Sequence, residues 1–253
     1  PPAGSSARLL CWQGRPYTLD KFESRADLCC RALLEARARL LAAGIGSTPA
    51  LFPEAAGSAV RVSSVGGGPG NDAVGYLLFS ALVAADTAPP ETAVTVYDFC
   101  PDWGETVDAV AAALPSALGG IAIEDDETAA HSTGVRGEMR LGFELCDLRQ
   151  PPSAAVNGRV VAAAPGVDLT ICSFCCHESG AAGVQPPSAN LLRALLCKAR
   201  LGSALLVLDL WKQCVEEVAE LVRAVGGFVL YPLGSSQHFP FKGFVAVRLS
   251  VPE

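Results

Sequence analysis

Short apolar runs alternate with amphipathic segments along this chain, and the last two runs follow one another with no helix between them. The extended runs are Ala59–Val65, Ala93–Tyr97, Leu141–Cys146, Val167–Phe174 and Ala204–Leu208. Helical patterns fall between and after them at Asp72–Ala85, Pro101–Leu118, Pro187–Arg200 and Lys212–Val225, with a weaker one after Pro151. A strand that returns to its sheet through a helix returns parallel, so this order builds a parallel sheet covered on both sides. The closing runs, Phe228–Tyr231 and Gly243–Val251, are joined only by a loop through Gly234-Ser235-Ser236 and must pair antiparallel. The pattern therefore predicts an α/β fold: a seven-stranded, mostly parallel sheet with helices on both faces and a C-terminal antiparallel hairpin.

Ahead of this pattern, residues 1–17 are broken by Pro, Gly and Ser and read as a tail. Asp20, with Glu23 three residues on, reads as a helix start, and Phe22, Ala26, Cys29, Leu33, Ala36 and Leu40 recur at helical spacing up to Gly44. Residues 1–50 are thus expected to be a tail and an amphipathic helix that packs on a main domain formed by residues 51–253. Within that domain the polar stretch Glu124–Arg140 reads as a surface insertion.

Half of the residues are hydrophobic and only 18 % are charged, which excludes a disordered chain. No apolar run approaches the ~18 residues of a membrane span; the best, Leu201–Trp211, is short and contains Asp209. The expectation is an intracellular protein without a membrane partner, with the cytoplasm favoured and an organelle or the nucleus left open. A net charge of −7 argues against binding nucleic acid through its phosphates, although a local basic groove stays open. The ten cysteines include Cys29-Cys30 and Cys175-Cys176 inside apolar segments, and they read mostly as buried, reduced thiols.

The sharpest local feature is Arg61-Val-Ser-Ser-Val-Gly-Gly-Gly-Pro-Gly-Asn-Asp72, where a strand runs through glycines into a helix. Gly66, Gly68 and Gly70 let the backbone turn at the strand end and approach a ligand without a Cβ in the way. A dinucleotide loop, G-x-G-x-x-G/A, puts Asn71 at its third small position, and the Asn71-Asp72 helix start repels pyrophosphate. A nicotinamide-dependent oxidoreductase fits less well than a protein whose ligand carries an ammonium group.

With these residues in view, positions 59–251 resemble the class I S-adenosylmethionine-dependent methyltransferases, a Rossmann-like family. Gly66, Gly68 and Gly70 match the family's glycine motif. The resemblance implies that Asp98, ending Val-Thr-Val-Tyr-Asp-Phe, takes the ribose hydroxyls and that Phe99 covers the adenine. It implies that Asp147, with Leu148 beside it, accepts from the adenine amino group. Ser173 ends the fourth strand, which faces the methyl group. Ser64 stands where the family usually has an acid, so the resemblance leaves the methionine end to Asn71 or Asp72. The cofactor implied is S-adenosylmethionine, leaving as S-adenosylhomocysteine, and the activity implied is methyl transfer to an O or N acceptor on a small molecule or protein. Two alternatives remain open: an RNA methyltransferase, and a non-catalytic methyltransferase-like binding or assembly subunit, which Ser64 would suit.

Candidate chemistry beyond the cofactor lies in Ser173-Phe-Cys-Cys-His-Glu178. His177 or Glu178 is placed to serve as a general base, and His177 equally to hydrogen-bond within its loop. Cys172, Cys175, Cys176 and His177 lack a second C-x-x-C pair, and no metal is expected. His238, Phe239 and Phe241 lie in the terminal turn, at a substrate mouth or on a surface loop. Trp103 and Trp211 begin helices at the same sheet edge, bordering the pocket or packing in the core.

Overall fold

In a computed structural model, residues 4–46, 48–55, 59–84, 90–119, 138–176, 190–234 and 242–250 are described. Seven strands form one sheet: β1 (Val60–Val65), β2 (Thr92–Asp98), β3 (Met139–Leu145), β4 (Leu169–Ser173), β5 (Ala204–Asp209), β6 (Phe228–Leu233) and β7 (Lys242–Arg248). Their order is β3-β2-β1-β4-β5-β7-β6. The first five pair in parallel, whereas β7 runs antiparallel to both β5 and β6. This is the α/β sheet that the alternating pattern predicts, with the hairpin at its end. The order reverses between β1 and β4: from β1 the chain moves outward to β2, and from β4 it moves the other way to β5. Open α/β sheets bind ligands at such a reversal, beyond the strand C-termini.

Strand alternation divides the core in two. Along β5, Ala204, Leu206 and Leu208 join one hydrophobic cluster, and Leu205 and Val207 join the other. The first cluster is covered by α1 (Gly4–Ala42), α2 (Asn71–Val83) and α3 (Trp103–Gly119), through Leu33, Leu40, Tyr76, Phe79 and Val107. The second is covered by α4 (Gly158–Ala163), α5 (Leu191–Lys198) and α6 (Lys212–Val225), through Val160, Leu192, Leu196, Val218 and Val222. Helices therefore lie on both faces. On α6 the residues at helical spacing, Val215, Val218, Val222 and Val225, are buried.

Helix α1 differs from expectation at its start. It begins at Gly4 and runs through Asp20, so residues 4–17 are helical and not a tail, and Gly14 and Pro16 lie within the helix. A proline inside a helix forfeits one backbone hydrogen bond, which a helix of 39 residues survives. From Ala26 onward α1 lies on α2, and the approach is close. A Cβ on Gly75 would stand 2.6 Å from the Ala26 carbonyl oxygen and 2.7 Å from Cys29 Cβ. The Tyr76 hydroxyl donates to the Ala50 carbonyl (3.1 Å), and Arg37 makes a two-pronged pair with Glu54, tying α1 and α2 to the segment between them.

Strand β4 starts at Leu169, two residues later than its apolar run, because its pairing with β1 begins at Val62–Leu169. It ends at Ser173 because Phe174 adopts a left-handed backbone, φ 55°. Most of the insertion Glu124–Arg140 lies outside the described residues, as do His177, Glu178, His238, Phe239 and Phe241. Among the described residues no helix is long and apolar enough to cross a membrane.

Candidate site at the reversal between β1 and β4

The glycine loop leaves β1 at the reversal point. Gly66, Gly68 and Gly70 all have left-handed φ, at 70°, 52° and 96°, and Gly70 is the N-cap of α2. At Gly66 the reason is space as well as angle: a Cβ there would come within 2.6 Å of Cys175 Cβ and 2.8 Å of its sulfur. Cys175 thereby forms the floor of the loop, and its thiol donates to the Val65 carbonyl at 3.3 Å. At Gly68 the missing side chain leaves open space, the nearest atom to a Cβ being Trp103 Nε1 at 3.9 Å. Trp103 is half-buried and borders the loop, whereas Trp211 is 62 % exposed ahead of α6.

Asp98, at the end of β2, is locked against this loop. One carboxylate oxygen accepts from the Gly68 amide and the other from the Cys100 amide, both at 3.0 Å. The next residue, Phe99, is 41 % exposed. Beyond β3, the Asp147 carboxylate accepts from Arg149 through its amide (3.0 Å), Nε (2.8 Å) and Nη2 (3.0 Å). Burial works to raise the Asp147 pKa, but these bonds and the Arg149 charge together hold it below the ordinary value. The Arg149 guanidinium also lies over the Phe99 ring, 4.4 Å from its centre. Leu148 is half-buried and reaches toward the Gly66 position.

The backbone around Asp147 is held by Asn157, which is fully buried. Its carbonyl accepts from the Asp147 amide at 2.9 Å, and its NH₂ group donates to the carbonyls of Asp147, Gln150 and Pro151 at 3.0–3.1 Å. Such a residue is silent in sequence, because its partners belong to a loop with no regular pattern.

Asp72, in the first turn of α2, is completely buried. Its carboxylate accepts from Ser64 at 3.2 Å, from the Asn71 side chain at 3.0 Å and from the Ser173 hydroxyl. It thus joins β1, α2 and β4 at one point. Ser64, at the β1 end, thus stands 3.2 Å from a carboxylate carried by α2. Burial pushes the Asp72 carboxyl up to about 6, against the pull of Ser173, Ser64, the Arg25 charge and Asn71.

Arg25 comes from α1, outside the strand-and-helix pattern, and no local motif announces it. Its guanidinium carbon lies 4.6 Å from the centre of the Phe174 ring, the left-handed residue just after Ser173. A left-handed L-residue costs about 1–2 kcal/mol. Phe174 is held there by its amide bond to the Leu208 carbonyl (2.8 Å) and by burial of its ring.

The thiols nearby are poor nucleophiles. A hydrogen bond with Cys172 and burial keep Cys175 protonated far above neutral pH, and burial pushes Cys146 up to about 12. Among the described residues eight cysteines are free and Cys100 is disulfide-bonded, whereas the set is expected to be mostly reduced. Among the described residues no group of three or more His, Cys, Asp or Glu could hold a metal ion.

No family model and no curated protein matches the sequence. Among solved structures, the chain is similar to an S-adenosylmethionine-dependent O-methyltransferase from Thermotoga maritima, with 9 % identity and a TM-score of 0.48 over 83 % of this chain and 66 % of that one. It is also similar to precorrin-6y C5,15-methyltransferase from Geobacter metallireducens, with 8 % identity and a TM-score of 0.46 over 85 % and 88 % of the two chains. A third, the S-adenosylmethionine-dependent methyltransferase SibL in its apo form, shows 14 % identity and a TM-score of 0.43 over 76 % of this chain. The chain spans about half of SibL's length, 51 %. At this level of identity and superposition, activity has to be argued from the chain's own residues.

Proposed function

We propose that this chain binds S-adenosylmethionine in the crevice beyond β1 and β4 and transfers its methyl group to an O or N acceptor. The observation that carries the reading is the closure of the glycine loop on Asp98, through the 3.0 Å bond from the Gly68 amide, at the point where the strand order reverses. A glycine-rich loop, a carboxylate and an exposed aromatic ring lie there on consecutive strand ends, and together they suit a nucleoside.

The residues fit that ligand in their donor chemistry. The Asp98 carboxylate presents two acceptor oxygens side by side, held by the Gly68 and Cys100 amides, which is the chemistry that two vicinal hydroxyls need. Phe99 offers a ring face to the adenine, and Asp147 and Leu148 offer an acceptor and an apolar edge. Gly66, Gly68 and Gly70 bring the backbone against the ligand. Asn71 and Asp72 supply polarity and negative charge at the methionine end, with Ser173 completing the Asp72 network. The cofactor supplies a methyl group made electrophilic by a positively charged sulfur. What the protein must add is orientation and exclusion of water, which can provide most of the acceleration when the acceptor is already nucleophilic. His177 and Glu178, four and five residues past the last residue of β4, are the candidate bases for an acceptor that must lose a proton.

The net charge of −7 favours a small molecule or a protein over RNA as acceptor. A non-catalytic binding subunit is the second reading, and Arg149 seated on both Phe99 and Asp147 is the observation that favours it. Titration with S-adenosylmethionine and S-adenosylhomocysteine tests the first reading. Binding that disappears in Asp98→Ala supports it, and absence of binding to either compound refutes it. Binding without methyl transfer to any acceptor class would turn the assignment to the second.

A further inference from the structure

We infer that Arg149 is a built-in competitor for the nucleoside subsite, occupying it with a planar cation that the ligand's base must displace. The inference rests on the cofactor reading above and concerns how tightly that site binds. Three observations converge on one side chain. The guanidinium is stacked over Phe99 with its carbon 4.4 Å from the ring centre. It donates through both Nε and Nη2 to Asp147. It also lies within electrostatic range of Asp98, whose negative charge helps to hold it.

The chemistry of the arrangement is that of a base analogue. A guanidinium is flat, delocalised and lined with N–H donors, so it stacks on an aromatic face and fills carboxylate lone pairs as an adenine with its amino group does. Phe99 and Asp147 are the two residues assigned to the adenine, and Arg149 satisfies both. Among the described residues no other cation stacks on Phe99.

Geometry sets how strongly Arg149 competes. Its side chain is 52 % exposed and can swing into solvent, whereas Asp147 is 15 % exposed and is fixed by Asn157. An exposed charge pair and an exposed cation–π contact each bias an equilibrium by a few fold. Releasing Arg149 is therefore expected to hinder nucleoside binding by roughly three- to tenfold without preventing it. Removing the side chain should strengthen binding, the reverse of what deletion of a ligand-contacting arginine does.

Calorimetric titration of the wild-type chain, Arg149→Ala, Arg149→Lys and Asp98→Ala with S-adenosylhomocysteine and with adenosine tests this. The expected result is a Kd roughly three- to tenfold lower for Arg149→Ala with both ligands. Arg149→Lys should be intermediate, since it keeps the charge but loses the flat stack, and Asp98→Ala should not bind. Unchanged or weaker binding by Arg149→Ala overturns the inference while leaving the cofactor reading intact. Binding that survives in Asp98→Ala overturns it too, because the ligand then sits elsewhere. If neither wild type nor Arg149→Ala binds either compound, the cofactor reading fails and the inference with it.

Discussion

Asp72→Asn isolates the cost of the acid at the centre of the site. Asp72 is completely buried, and its carboxyl is raised from an ordinary 3.8 to about 6. At about 1.4 kcal/mol per tenfold change in proton affinity, that displacement corresponds to about 3 kcal/mol. The sign follows from linkage. Below about pH 4 the residue is protonated both folded and unfolded and contributes no pH dependence. As pH rises toward 6, the unfolded chain releases its proton while the folded chain retains it, so stability from this group is lost and stays lost above the folded pKa. Asparagine cannot titrate and keeps one oxygen for Ser173 or Ser64. The stability of Asp72→Asn minus that of wild type should therefore grow by about 3 kcal/mol between about pH 4 and pH 7, then level off. Urea unfolding of both chains across that range measures the difference, and any constant penalty of the substitution drops out of its slope. A gap that is flat with pH, or that narrows as pH rises, would refute the assignment of a buried, proton-retaining Asp72.

Other expectations follow from the same contacts. Because a cation beside Asp72 draws out its proton, affinity for S-adenosylmethionine should rise as pH rises through about 6, and Asp72→Asn should flatten that profile in the same titration. Gly66→Ala places a side chain at φ 70° and within 2.6 Å of Cys175 Cβ, so S-adenosylhomocysteine binding should vanish with a stability loss of about 1–3 kcal/mol, read by calorimetry and urea unfolding. Gly75→Ala forces α1 off α2 against the Ala26 backbone; α1 should become the first site of limited proteolysis, and wild-type resistance would refute the close-packing argument. Asn157→Ala strips partners from three carbonyls and one amide, and should cost about 2–3 kcal/mol while weakening adenosine binding through a loosened Asp147.

The sheet was readable because its determinants are local and periodic. Leu205 and Val207 face one cluster and Leu206 and Leu208 the other, so β5 is buried on both faces and reads as a short continuous apolar run, set off by its length and by Gly202 ahead of it. The glycine loop was readable because three left-handed positions leave glycine as nearly the only residue without strain. The start of α1 was misread because Gly14 and Pro16 are statistical punctuation, which a long helix overrides. Phe174 was invisible for the opposite reason. Nothing about phenylalanine signals a left-handed backbone, and the conformation is imposed by the Leu208 carbonyl and by Arg25 from a helix about 150 residues earlier.

Two arginines from outside the motifs set the site's electrostatics. Motif reading collects Asp72, Asp98 and Asp147 on one sheet edge, and alone they make a strongly negative crevice. In the fold Arg25 faces Asp72 electrostatically, and Arg149 binds Asp147 and lies within range of Asp98. Neither arginine belongs to the glycine loop or to a strand end, so the charge that a ligand meets differs from the charge that its motif carries. The net charge of −7 acts over the whole surface, whereas inside the crevice the acids are already partnered and a cationic ligand gains only what it wins from those partners. On the proposed reading, selectivity for a nucleoside would depend on the exchange of a guanidinium for a base on Phe99. That would be a difference between two states of one site, its size set by the contacts of Arg149 with Phe99 and Asp147 as much as by those of the ligand.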